Sequence, residues 1–197
     1  DGETAIYESG QKQYDLAFCA DKVFFAPGKA VYEGKIGRFS YSLTVTCCVR
    51  LPRKDVSVVF SGADENDALY CRVLPSMGSR KEHIRAERRS PTMILFDNPL
   101  SEAFGQYSGF LFCRSDCIQP KIPDSDFLLC GGKITAESGE VCFGLGAFRN
   151  GTHADSFFQP EKRDFSSFAR SLLPSVRFIP GNASAKSLAL QKMFGTF

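Results

Sequence analysis

Phe39-Ser-Tyr-Ser-Leu-Thr-Val-Thr-Cys-Cys-Val-Arg-Leu51 is apolar at every odd position, while its even positions are Ser, Thr, Cys or Arg. A period of two marks a strand with one face in a core and the other in water. Pro52 and the basic pair Arg53-Lys54 break the pattern, Asp55-Val-Ser-Val-Val-Phe60 resumes it, and Ser61 to Asn66 has loop composition. Ala68 to Leu74, Thr92 to Phe96, Tyr107 to Cys113, Glu140 to Phe148 and Ser175 to Ile179 read as further short strands bounded by Pro, Gly or Asn. Asp126 to Cys130, then Gly131-Gly132, then Lys133 to Ala136 predicts a hairpin with a two-glycine turn. Asp164 to Leu173 reads either as a helix ended by Pro174 or as a strand and a tight turn, and the tail from Ser184 to Phe197 is ambiguous. Many short strands with little helix predict an all-β, antiparallel sandwich or barrel.

The composition agrees with that reading. The chain has 197 residues, 19 Phe, 6 Tyr and no Trp, and Phe and Tyr favour strands and cores. A formal net charge of +2 is too balanced to mark a nucleic-acid binder, and no aromatic platform interleaves with the charges. No stretch approaches the roughly 18 apolar residues of a membrane span, so direct membrane insertion is not expected. Asp1-Gly-Glu-Thr lacks signal-peptide character, so a secreted form would have lost its signal already. The first dozen residues, with Gly2 and Gly10 and few large apolar groups, predict a loose arm, and residues 1–20 as a whole an N-terminal arm or a first strand.

Eight cysteines, Cys19, Cys47, Cys48, Cys71, Cys113, Cys117, Cys130 and Cys142, favour disulfides over buried thiols, and both over zinc. The close pairs Cys47-Cys48 and Cys113 with Cys117 do not fit a zinc-ribbon spacing. Adjacent Cys47 and Cys48 on a strand would face opposite ways and need different partners. At least three bridges are expected, with Cys130 and Cys142 one plausible pair across the predicted hairpin. Cys113 and Cys117 would have separate partners or close a small loop. The sequons at Asn150 and Asn182 fit an oxidising, secretory compartment.

No catalytic constellation emerges, and no cofactor or metal is implied. Gly144-Leu-Gly146 with Gly151 matches neither phosphate-loop pattern and sits inside an alternating strand, where a bulge or close packing explains it better. The two histidines, His83 and His153, fall in polar segments, and no Ser carries a nucleophile elbow. The densest charge, Arg80 to Arg89, is either a site for an acidic glycan or protein, or a solvated strand edge that resists aggregation.

Asp55 to Asn66, Leu69-Tyr-Cys-Arg72 and Ala86-Glu-Arg-Arg89 resemble the middle of a galectin domain, with its H-x-N-x-R strand and W-G-x-E-x-R segment. Phe168-Ala-Arg170, Val176 to Ile179 and Gly181 are similar to the family's closing pattern, and Pro27-Gly28, Gly34 and Phe39 to its opening strands. The resemblance implies a galectin-like, concanavalin-type jelly-roll sandwich over residues 21–197. It also implies a degenerate sugar groove. Val59, Ser61 and Ala63 stand for the sugar-binding His, Asn and Arg, Arg72 for the next Asn, and Ile84 for the stacking Trp. Glu87 and Arg89 survive from the polar set, where a local ion pair is one use for them. Losing four or five contacts of about 0.5–1.5 kcal/mol each removes ordinary lectin affinity, so galactose binding is not expected.

A sandwich with this lost site is similar to the galectin-like partner proteins of apicomplexan micronemal adhesins. That likeness implies an escort subunit, secreted through micronemes to the parasite surface for host-cell attachment and invasion. It would grip a small disulfide-rich domain, thrombospondin-repeat or EGF-like, of a transmembrane adhesin. Arg80, Phe96, Phe104 and Tyr107 are the candidate anchors for such a protein interface. The alternative is a lectin that reads acidic or non-galactose glycans through residues 80–89.

Overall fold

The computed structural model describes residues 2–48, 52–74, 84–101, 105–121 and 129–149. Among them the chain forms thirteen strands and no helix: β1 (Gly2–Ser9), β2 (Lys12–Asp15), β3 (Lys22–Ala26), β4 (Lys29–Ile36), β5 (Phe39–Cys47), β6 (Arg53–Ser61), β7 (Ala68–Leu74), β8 (Arg85–Ser90), β9 (Met93–Asp97), β10 (Tyr107–Arg114), β11 (Ile118–Pro120), β12 (Leu129–Ile134) and β13 (Ser138–Arg149). They make two antiparallel sheets, one of five strands in the order β11-β12-β7-β1-β2 and one of eight in the order β3-β4-β5-β6-β13-β10-β9-β8. Phe39, Tyr41 and Leu43 of β5, Val56, Val58 and Phe60 of β6 and Phe143 of β13 share one buried core with Tyr7, Leu69, Cys71, Cys130 and Ile134 from the five-stranded sheet. The alternation read in the sequence is therefore the inner row of a sandwich-like, all-β fold.

Strand β1 corrects the expected loose arm, and a first strand is what residues 2–9 form. It lies between β7 and β2, with Ala5, Ile6 and Tyr7 buried. Tyr7 stacks on Phe39 with centroids 3.8 Å apart, and its hydroxyl donates to Asp67 at 2.6 Å. The Gly131-Gly132 turn is also corrected, since both glycines lie inside β12. A Cβ on Gly131 would overlap the Leu69 carbonyl oxygen, and one on Gly132 the Gln119 carbonyl oxygen, so these glycines admit close neighbouring backbone. Arg53-Lys54 opens β6 rather than breaking it: Arg53 is buried and its Nε lies 2.8 Å from an Asp55 carboxylate oxygen. Gly144 and Gly146 are close-packing glycines, one beneath the Phe112 ring and the other against the Pro52 carbonyl. The segments 164–173, 175–179 and 184–197 lie outside the described residues.

No two of the eight cysteines are bonded to each other, so the expected bridges are not present. An even count does not by itself bring thiols together, because the strands carry them to different faces. Cys47 ends β5, while Cys48 lies in the following connection, where its N–H donates to the Arg53 carbonyl. Cys130 is buried in the inter-sheet core. Cys142 sits opposite Ser57 on the other side of the eight-stranded sheet, its thiol 3.5 Å from a Glu140 carboxylate oxygen. The plausible Cys130–Cys142 pair is thereby overturned. Cys71 and Cys130 are instead directly opposite in the β7–β12 ladder and face the same core.

Candidate binding surfaces

The positions matched to the galectin groove do not converge. Val59 and Ser61 lie on the outer face of β6, because Val56, Val58 and Phe60 take the inner one. Ala63 is buried in the β6–β7 connection, where its N–H donates to the Glu137 carbonyl. Arg72 belongs to β7 in the other sheet and alternates with the core residues Cys71 and Val73, so it faces away from the eight-stranded sheet. Ile84 packs against the core just before β8. Glu87 and Arg89 form the local ion pair, 3.2 Å apart, on β8. Four strand spacings separate β8 from β6 in the sheet order, about 19 Å at roughly 4.8 Å per strand.

Val59 and Ser61 line a shallow trough of about 450 Å³ with Ser40, Ser42, Lys35 and Glu33. Its floor is hydroxyl and aliphatic, and the neighbouring Tyr41 and Phe60 rings are turned into the core. The trough therefore lacks the aromatic platform on which a sugar ring stacks.

A larger groove of about 1030 Å³ opens at the end of the sandwich between the β6–β7 and β12–β13 connections. Its rim carries Arg38, Asp64, Glu65, Lys133 and Glu137, and Arg38 is ion-paired with Asp64. Asp67 is only 1% exposed and accepts from the Tyr7 hydroxyl and from the Asp64 N–H at 2.7 Å. Burial and that hydrogen bond push the Tyr7 hydroxyl up to about 12. This carboxylate ties β1 to the β6–β7 connection. Among the described residues no cluster of His, Cys, Asp or Glu is placed to hold a metal ion.

The described part of the charged segment, from residue 85 on, forms a sheet edge, as its reading as a solvated strand edge expects. β8 closes one side of the eight-stranded sheet, with Arg85, Glu87 and Arg89 exposed. Arg85 is held by Asp97 through Nε at 3.2 Å and Nη2 at 3.1 Å, and Arg89 by Glu87. Of the expected protein anchors, Phe96 is a core residue whose ring covers Gly109, while Tyr107 is exposed at the start of β10. Arg80, Phe104, Asn150, Asn182, His83 and His153 lie outside the described residues.

Among the described residues, the strand with the most exposed large apolar side chains was not among the sequence candidates. β3 is the other edge of the eight-stranded sheet, and all five of its residues are exposed. Phe24 is 53% and Phe25 79% exposed, with Val23 beside them. Their partners on β4 are Val31, Ala30 and Tyr32. The signal was present in the sequence, as Val23-Phe-Phe-Ala26 stands immediately before the Pro27-Gly28 turn, where Gly28 has a φ of 68°.

No protein-family model matches the chain, and no curated protein matches it significantly.

Proposed function

We propose that this protein is a non-enzymatic protein-binding module that receives an extended polypeptide strand along β3. The observation that carries this reading is the contrast among the four sheet edges that the described residues form. β2 has four residues, three of them polar, and β11 has three and includes Pro120. β8 carries three arginines and a register shift between Arg88 and Ser90. Short length, proline, charge and bulges are the devices that keep an edge from pairing. β3, at five residues, carries no proline or bulge and no charge beyond Lys22, and it exposes two phenylalanines at the place where a further strand would add. Main-chain hydrogen bonds would supply affinity there and the alternating apolar side chains specificity.

The finer readings rest on this one. A galectin-like jelly roll draws support from the two facing antiparallel sheets, and an escort role for a surface adhesin would name the partner as a small disulfide-rich domain with a strand to offer. The scattered groove positions lend that role no site of their own. The glycan alternative has less support, since Arg85 and Arg89 are already engaged by Asp97 and Glu87.

Tagged protein recovered gently from its native compartment, with bound polypeptides identified by mass spectrometry, tests the proposal. The double variant Phe24→Lys/Phe25→Lys is expected to lose those polypeptides while keeping its melting temperature, because surface changes usually cost within about 0.5 kcal/mol. Tyr107→Ala, on a different strand, is expected to keep them. Undiminished capture by the double variant would overturn β3 as the docking edge.

A further inference from the structure

We infer that the strand β3 receives is β3 of a second copy, joined antiparallel about a two-fold axis at Phe24. The inference rests on the reading of β3 as a docking edge. Antiparallel pairing of Lys22-Val-Phe-Phe-Ala26 with itself sets Phe24 against Phe24, Val23 against Phe25 and Lys22 against Ala26. Aromatic–aromatic and aromatic–β-branched pairs are the cross-strand pairs that stabilise a sheet most. Both faces match. Phe24 pairs with Val31 in the outward row, and Val23 and Phe25 pair with Tyr32 and Ala30 in the row that carries Tyr32 to the core. The two-fold arrangement therefore continues each row into the same row of the other copy.

Charge selects the direction. An in-register parallel pair would stack the two Lys22 amines one strand spacing apart, about 4.8 Å. The two-fold pair holds them at opposite ends of the interface, roughly 14 Å apart along the strands, each beside an alanine. A two-fold contact is also closed, so pairing consumes both exposed edges and stops at two copies instead of growing into a fibre.

The area bears on the strength. Val23 is 43% exposed, beside Phe24 and Phe25. With about 200 Å² for each aromatic side chain, the exposed apolar surface of Val23, Phe24 and Phe25 is about 300–350 Å² per copy. Two copies thus offer about 600–700 Å² before any backbone is counted, below the roughly 1,200 Å² of standard interfaces and in the range of weak, transient contacts. A reversible dimer is expected, and because area alone does not set affinity it is sought over a wide range, about 1–100 µM.

Sedimentation equilibrium of the full chain across that concentration range reads the association directly. Wild-type protein is expected to pass from monomer to dimer, and Phe24→Lys and Phe24→Glu each to remain monomeric with unchanged circular dichroism. An equimolar mixture of the two variants is expected to recover the dimer at low salt, because the axis sets position 24 against itself. Loss of dimer in each variant without recovery in the mixture would overturn the axis at Phe24. Wild-type protein that stays monomeric, yet captures another polypeptide in a Phe24-dependent way, would overturn the second copy as occupant while leaving the docking edge standing. A monomer whose captures are indifferent to Phe24→Lys/Phe25→Lys would overturn both.

Discussion

Tyr7 and Asp67 are sixty positions apart in sequence and 2.6 Å apart in the fold, and both are almost fully buried. A buried carboxylate is costly unless its oxygens are satisfied, and Asp67 accepts from the Tyr7 hydroxyl and the Asp64 N–H. Tyr7→Phe keeps the stack on Phe39 and removes one donor, so it isolates the hydrogen bond from the packing. It is expected to cost about 1–3 kcal/mol, the penalty for a buried polar group left short of a partner, measured as a lower urea midpoint with an unchanged slope. A variant as stable as wild type would show that water replaces the donor and that Asp67 is not sealed. None of this was legible from the sequence. Tyr7 looked like part of an arm because Gly2 and Gly10 flank it, and Asp67 looked like loop because Ser61 to Asn66 precede it. A single chain does not announce which distant carboxylate a buried hydroxyl will meet.

Strands with clean alternation were readable, and single glycines did not hide β10 or β13, but the adjacent pair Gly131-Gly132 hid β12. Phe39, Tyr41 and Leu43 against Ser40, Ser42 and Thr44 gave β5 its inner face directly, and Val56, Val58 and Phe60 did the same for β6. β12 reads Leu-Cys-Gly-Gly-Lys-Ile, and local turn chemistry favoured a hairpin there. Tertiary packing overrides that preference, because β12 is held between β7 and β11, whose backbones come too close for side chains at Gly131 and Gly132. Gly131 also has a φ of 144°, which side chains rarely tolerate. Gly131→Ala is therefore expected to destabilise by about 1–3 kcal/mol, combining backbone strain with the displaced Leu69 carbonyl. In a solvent-exposed Gly-Gly turn alanine would still meet a positive φ, at about 1 kcal/mol, but no Leu69 carbonyl, so a cost towards about 3 kcal/mol in thermal unfolding favours the strand placement. The site was harder to read than the strands for a related reason. Sequence order set Val59 and Glu87 in one imagined groove, but β13, β10 and β9 lie between their strands.

The interior shared by the two sheets holds groups that ionise only in alkali, and this makes the whole fold sensitive to high pH. Burial is the leading cause in each case: it pushes Tyr7, Tyr41 and Cys130 up to about 12 and Cys113 upward as well, and on the outer face of the eight-stranded sheet it raises Cys142 to about 11. In the unfolded chain the thiols lose protons near 9.0 and the phenols near 10.0. Between those values and the folded ones, the unfolded state binds fewer protons than the native state. Stability then falls as pH rises, since its slope follows the protons bound unfolded minus those bound folded. The contribution of these groups is fully present below about pH 8, and each can remove about 1.4 kcal/mol per pH unit while inside its window. Urea midpoints measured from pH 7 to 11 are expected to decline steadily once the window opens. The slope between pH 9 and 10 reports the redox state of Cys71 and Cys130, since Cys113 and Cys142 titrate there in either case. Reduced thiols begin the decline near pH 9. Oxidation of Cys71 and Cys130, opposite one another in the ladder, by a disulfide such as oxidised glutathione would remove Cys130 from the titration. The decline between pH 9 and 10 would then become shallower, with the tyrosines entering near 10. A midpoint that stays flat through pH 11 in both redox states would mean that these thiols and hydroxyls reach solvent, and that the two sheets do not close over them.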